Sequence, residues 1–202
     1  MNFVIKNIDK KDYKRAIVLA VKGMHFDWYF KNDFLLYAYG KYFWYLELNE
    51  ATQILAAYVD DKFVGVLLAR FNNEKNMHNN FFEKAYVKVI DFIQNSFFKN
   101  SAGLYEETCE KQLNHYLLNN DPDGEIVFLA GDSNYKGVGT TLLHELENRE
   151  KGKVVYLYTD DACTYEFYEH RGFIKNEENN ITLKTEKGEV ILNCFLYSKK
   201  IK

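Results

Sequence analysis

The residues best spaced for chemistry lie between Glu125 and Leu146. Glu125-Ile-Val-Phe-Leu-Ala130 is an apolar run of strand length, and a polar loop, Asp132-Ser-Asn-Tyr-Lys136, follows it. Gly137 and Gly139 then open the helical run Thr140-Thr-Leu-Leu-His-Glu-Leu146. The amides of such a loop and the positive end of the helix dipole point the same way, which makes an anion site. Glycine lets the backbone approach a phosphate with no Cβ in between. The stretch from Asn134 to Thr140 is therefore expected to hold a phosphorylated ligand. A tight strand-to-helix turn is the plainer reading of the same glycines.

Two nucleotide signatures fail here. The Rossmann fingerprint needs a third glycine, and Leu142 stands in its place. The P-loop needs Gly-x4-Gly-Lys, whereas Gly131 and Gly137 have the wrong spacing and Val138 follows. Segment 125–143 instead resembles the acetyl-CoA-binding motif of the GNAT superfamily of acyl-CoA N-acyltransferases. The family loop Gln/Arg-x-x-Gly-x-Gly/Ala corresponds to Asn134-Tyr-Lys-Gly-Val-Gly139. A second element follows at the family's distance. Tyr156-Leu-Tyr-Thr-Asp160 reads as the next strand, and Ala162-Cys-Thr-Tyr-Glu-Phe-Tyr-Glu-His-Arg-Gly-Phe173 is similar to the family's Ala-x4-Phe-Tyr-x3-Gly-Phe helix and cap. The resemblance implies acetyl-CoA as co-substrate and an amine acceptor. It further implies N-acetyl transfer to a primary amine of a small molecule or protein, by direct attack in a ternary complex.

Such a transfer requires the thioester to be held, its carbonyl polarised, the ammonium deprotonated and the leaving thiolate protonated. The resemblance gives the first task to Asn134, Tyr135, Lys136, Gly137, Val138, Gly139 and Thr140, mainly through backbone donors. Lys136 adds charge unless its side chain points to water. Polarisation falls to a backbone N–H of the fourth strand, at Leu129 or a neighbour. Glu125 is the candidate general base, and desolvation would be needed to lift it from an ordinary pKa of about 4.3. Its alternatives are a surface residue ending the loop Asp121-Pro-Asp-Gly124, or a helix partner. Tyr168 is the candidate acid for the thiolate, with Tyr165 as the fallback and a satisfied core tyrosine as the alternative. Asp160 is read as the N-cap of the run from Ala162, or as a contact to the acceptor amine. Asn134 and Tyr135 depart from the family's usual Gln/Arg and Gly. That departure motivates a second reading, a catalytically degenerate GNAT-like acyl-CoA-binding or interaction module.

These residues need a scaffold, and the hydrophobic periodicity supplies one. Phe3–Ile8 reads as a strand. Asp9 is expected to cap a helix over about 10–23, with Gly23 ending it, and an aromatic-rich helix spans about 32–49. Gln53–Val59 and Phe63–Phe71 form a hairpin across Asp60-Asp-Lys62. A final hairpin joins 179–184 to 190–197. The order resembles the GNAT order, so the expected fold is α/β (α+β), a mixed, mostly antiparallel central sheet flanked by helices. With no internal repeat or linker, residues 1–202 read as one domain. The departure is an insertion at about 72–120, with amphipathic helices at 79–98 and 104–118. It is either a lid or wall of the acceptor site, or an elaboration that extends the core or makes a homodimer contact.

Composition narrows the partners. A formal charge of −3, without a Lys/Arg cluster on a helix, gives no reason to expect nucleic acid. Apolar residues make up 47%, which excludes disorder. Cys109, Cys163 and Cys194 are too scattered for a zinc site or a disulfide framework, and the histidines are equally dispersed, so no metal is expected. His170, two positions beyond Tyr168, is expected on the solvent side. Met1–Asn7 lacks a signal-peptide pattern, and no apolar run reaches about 18 residues. No membrane partner is expected, and a reducing cytoplasm is the expected home. Glu106, Glu107 and Asp160 hint at a cationic acceptor, or simply form solvated faces.

Overall fold

The computed structural model of the chain describes residues 2–97, 102–185 and 188–202. It begins with β1 (Val4–Lys6), α1 (Tyr13–Gly23) and α2 (Asp33–Glu50). The hairpin of β2 (Gln53–Val59) and β3 (Lys62–Phe71) comes next. Its loop is two residues, Asp60 and Asp61, both with positive φ (47° and 60°). Such a turn matches the right-handed twist of its strands, and Lys62 pairs with Val59 instead of extending the loop.

β2 and β3 are continuous apolar runs because both faces of the sheet are covered. Leu55, Ala57, Leu67 and Ala69 point to one face, and Ile54, Ala56, Val66 and Leu68 to the other. Against the second face lie Ala16, Ile17 and Ala20 of α1 with Trp44 and Leu48 of α2. α2 is apolar on several sides since it also packs on α1 and α3 (Phe81–Phe97). The first face is covered by α5 (Val138–Arg149) through Leu142, Leu143 and Leu146. Full burial of each leucine is worth roughly 1.5–3 kcal/mol, and Leu146→Ala would cost about 2–5 kcal/mol.

The remaining elements are α4 (Ala102–Tyr116), β4 (Gly124–Gly131), β5 (Val154–Asp160), α6 (Glu166–Glu169), β6 (Ile174–Thr185) and β7 (Gly188–Lys200). Together the strands make one seven-stranded sheet in the order β1-β2-β3-β4-β5-β7-β6. Neighbours are antiparallel except β4 and β5, which run parallel and pair only at Gly124↔Val155 and Glu125↔Tyr156. Beyond Glu125 the two strands part, so the sheet is forked at its middle.

Several local expectations are corrected. The Asp9 carboxylate caps no helix; it bonds Lys6 Nζ at 3.0 Å instead. Gly23 does end α1, as expected, but the left-handed turn beyond it is taken by His25 (φ 51°). The helix expected from Ala162 shrinks to α6, because turns occupy residues 161–165. The last hairpin is longer than expected: β6 is an edge strand with mostly polar residues, and only Ile181 and Leu183 mark its buried side. The insertion forms two helices, as its periodicity implied. α3 is tied to α2 by Tyr42 Oη to Asp91 Oδ1 (2.6 Å) and Asn49 Nδ2 to Glu83 Oε2 (2.9 Å). α4 lies on β6 and β7, where buried Gln112 donates to the Cys194 carbonyl at 2.8 Å.

Candidate active site

The fork between β4 and β5 opens into a cavity of about 1260 Å3. Its floor is β4 from Glu125 to Gly131, and α1, α2, α4 and the loop after β4 complete the wall. From Ile126 onward β4 has no partner on its β5 side. The free edge of a strand presents unpaired N–H and C=O groups, and this edge runs through Leu129, which lines the cavity.

One end of the cavity is the start of α5. Gly137 there has φ +88°, a left-handed conformation that side chains with a Cβ adopt at a cost of roughly 1–2 kcal/mol. The first helical hydrogen bond runs from Thr141 N to Gly137 O. No described residue accepts from the N–H groups of Gly137, Val138, Gly139 and Thr140, which leaves the donor end of the helix open. Two expected donors are already used: Asn134 N–H donates to Asp132 Oδ1 (3.0 Å) and Tyr135 N–H to Asp132 O (3.0 Å). The Asn134 side chain also donates to Asp132 Oδ1, at 2.8 Å. The run of unused amides therefore begins at Gly137, later than the Asn134 that the sequence suggested. Lys136 is exposed and stands outside the cavity wall.

Gly139 serves a second purpose. A Cβ at this position would sit 3.2 Å from the Phe167 ring, so the absence of a side chain lets α5 close on α6. Arg171 stacks on the same ring, with Cζ 3.6 Å from the centroid of Phe167. Its Nη1 donates to Phe167 O at 2.9 Å and its Nη2 to Thr140 Oγ1, while Nε is buried without a partner among the described residues. A fixed cation thus lies against the first turn of α5. The sequence reading missed it; its only local signal was a position four residues after Phe167.

Tyr168 lines the cavity, packed edge-on to Phe167 and Phe173. Burial, and next the nearby Cys163, push its phenol well above its ordinary pKa, so it arrives protonated. Its hydroxyl takes no hydrogen bond with a described residue. Tyr165 stands elsewhere. Its ring lies tilted against Phe195, centroids 5.1 Å apart, and is not part of the cavity wall, because the turn before α6 directs it to the sheet. His170 is exposed, as expected.

The opposite end carries carboxylates. Glu125 Oε2 accepts from Arg70 Nη2 (2.8 Å) and Tyr156 Oη (3.3 Å), and its side chain is 13% exposed. Arg70 is the cross-strand neighbour of Glu125, and it also reaches Glu50 Oε2 at 3.0 Å. A third carboxylate, Glu47 of α2, lies 4.0 Å from the same guanidinium and is only 12% exposed. Its Oε2 is sealed from solvent and takes no hydrogen bond from a described residue. Burial, opposed by Arg70 but reinforced by Glu125 and Glu50, lifts Glu47 to about 7. Sequence reasoning passed over Glu47 and Arg70. The available signal was a charged residue on the apolar side of a helix, four positions after Phe43. Asp160 caps the turn beyond β5, accepting from Ala162 N (3.0 Å) and Cys163 N (3.1 Å), and it also takes Tyr105 Oη at 3.3 Å. Tyr105, Glu106 and Cys109 bring α4 into the wall, so this part of the insertion shapes the cavity.

Comparison with known proteins follows the same lines. No protein-family model and no curated protein matches the sequence. Solved structures do match over the whole chain. A histone acetyltransferase HPA2 and related acetyltransferase from Corynebacterium glutamicum aligns with TM-score 0.56 and 13% identity, over 100% of this chain and 98% of that one. The ribosomal-protein-S18-alanine N-acetyltransferase of Escherichia coli gives 0.55 and 13%, over 100% and 95%. The PaiA N-acetyltransferase of Thermoplasma acidophilum, solved in complex with coenzyme A, gives 0.53 and 16%, over 99% of both chains. At such identities the likeness is one of architecture, and on that measure the chain has the fold of the GNAT superfamily of acetyltransferases.

Proposed function

We propose that the chain is a single-domain N-acetyltransferase that takes acetyl-CoA as acyl donor and a primary amine as acceptor. The observation that carries this reading is one cavity joining an open helix N-terminus, a free strand edge, a protonated tyrosine and a carboxylate cluster. The N–H groups from Gly137 to Thr140, with Arg171 beside them, suit a pyrophosphate. The free edge of β4 near Leu129 offers an N–H to the thioester oxygen, and this bond tightens as negative charge develops there.

The transfer then balances as follows. The ammonium first gives one proton to the carboxylates that share Arg70, Glu125 among them. The neutral amine then attacks the thioester carbon, a C–N bond forms, and the C–S bond breaks as the leaving thiolate takes the proton of Tyr168. The attacking nitrogen loses its second proton as the amide forms, and that proton restores the Tyr168 phenol. Direct attack is favoured over an acyl-cysteine route. Burial, then Asp160, pushes the Cys163 thiol up to about 12, and burial pushes Cys109 higher still, so neither offers a ready thiolate.

A binding module without turnover is favoured by one observation, the use of the Asn134 and Tyr135 amides within the loop. The retained Tyr168 and carboxylates argue for turnover. A cytoplasmic location suits three unpaired cysteines. Among the described residues no helix is long and apolar enough to cross a membrane. Thiol release from acetyl-CoA in the presence of a panel of primary amines tests the proposal. Amine-dependent release supports it, and tight acetyl-CoA binding with no release for any amine turns the balance to the binding module.

A further inference from the structure

We infer that Glu47 is the proton-accepting carboxylate of the acceptor site, and that the acceptor enters as an ammonium cation. The inference rests on the acyl-transfer reading and sharpens it. Among the carboxylates in the cavity wall, Glu125 and Asp160 are committed. Glu125 Oε2 holds Arg70 and Tyr156, and Asp160 holds two backbone amides and Tyr105. Those donors leave Glu125 and Asp160 fewer free lone pairs for a substrate N–H. Glu47 differs: it lines the cavity, neither of its carboxylate oxygens takes a hydrogen bond from a described residue, and Arg70 stands off at 4.0 Å from the sealed Oε2. Burying a carboxylate without a donor is unfavourable, and a substrate N–H at the part of the side chain that faces the cavity supplies one.

The surroundings select a cation. Glu47, Glu106, Glu125, Asp132 and Asp160 line this cavity; of its basic residues, Lys14, Arg15 and Lys22 come from α1, and Arg70 stands beside Glu47 and Glu125. Glu106 on α4 is itself raised by burial, by Glu110 and by Asp91. Aromatic side chains, Tyr39, Phe43 and Tyr158 among them, form the intervening wall, and ring faces attract an ammonium group. The charged groups acting on Glu47 are Arg70 of β3, Glu125 of β4 and Glu50 of α2, and with burial they leave it near 7. A base with a pKa close to the working pH is the most effective for proton transfer. Because Glu47 and Glu125 share one guanidinium, Glu47 reaches the region that the sequence assigned to Glu125.

Two readouts on the full chain saturated with CoA ligand test this. The first is carbon NMR of the Glu47 carboxyl, assigned by its loss in Glu47→Gln, titrated with n-butylamine or with 1-butanol as the uncharged control. The second is thiol release from acetyl-CoA with n-butylamine. Butylammonium is expected to lower the Glu47 midpoint, since an opposite charge favours the ionised form, and 1-butanol to leave it unchanged. Glu47→Gln is expected to reduce kcat/KM about 100-fold with acetyl-CoA affinity intact and to lose the acidic limb near pH 7, whereas Glu47→Asp keeps that limb. Thiol release with no change at Glu47 overturns this inference and leaves acyl transfer standing. A lowered midpoint without thiol release supports the cation site and overturns acyl transfer to this amine class. Neither response overturns both.

Discussion

Replacing Glu47 by Gln is expected to stabilise the folded chain, and only at higher pH. The folded environment lifts this carboxyl from its ordinary 4.5 to about 7, mainly through burial. Between those two values the folded protein binds a proton that the unfolded chain has released, so stability falls as pH rises through this window. Full deprotonation, reached above pH 7, corresponds to about 3 kcal/mol at roughly 1.4 kcal/mol per pH unit. The side chain is only 12% exposed, so solvent screening removes little of this. Gln is neutral in both states and escapes the penalty, while Arg70 keeps Glu125 and Glu50 as partners. Urea unfolding of wild type and variant at pH 5 and pH 8, followed by tryptophan fluorescence, measures the difference. The variant should gain about 2.5 kcal/mol at pH 8 relative to its effect at pH 5, where part of the penalty is already present, or about 5–10 °C in Tm for a chain of this size. An effect equal at the two pH values would refute the buried, uncompensated carboxylate. A residue that weakens its own fold yet is needed for turnover is the familiar signature of a functional site.

Other substitutions probe the opposite end of the cavity. Gly137→Ala should destabilise by about 1–2 kcal/mol through its left-handed backbone, read by the same urea titration, and Gly137→Glu should abolish CoA binding by setting charge against the phosphates. Tyr168→Phe should lower turnover about 100-fold at saturating substrates with CoA affinity unchanged. Since burial raises this phenol, the wild-type pH–rate profile should show no basic limb from it below about pH 10. Arg171→Met should weaken CoA binding about tenfold, a loss of ~1.4 kcal/mol measurable by calorimetry, while leaving kcat with saturating acetyl-CoA within twofold or so.

Much of this architecture was legible in the chain. The loop before α5 announced itself because an open helix N-terminus reached through a left-handed residue needs glycine, and Gly137 stands there. The β2–β3 hairpin was equally plain, as both of its faces are buried and its turn is two aspartates. What stayed hidden depends on tertiary register. Arg70 and Glu125 meet only because β3 and β4 align them across a bulge, and Glu47 joins them from a helix. Nothing in local spacing encodes that meeting. Gly139 was read for its approach to a phosphate, yet it also makes room for Phe167 of a helix packed from elsewhere. Tyr165 shared a helical face with Tyr168 only on the assumption of a long helix, and α6 starts just after it. The ends of β6 were obscured by the run Asn176-Glu-Glu-Asn-Asn180, which an edge strand tolerates on its open side.

The central claim is that the open end of α5 and the forked sheet form an acyl-CoA site. Calorimetric titration of the purified chain with acetyl-CoA, alongside Gly137→Glu, tests it most directly. Micromolar binding, near −8 kcal/mol, that disappears in the folded variant is the expected result. A folded wild-type protein that takes up no acetyl-CoA at millimolar concentration would contradict the account.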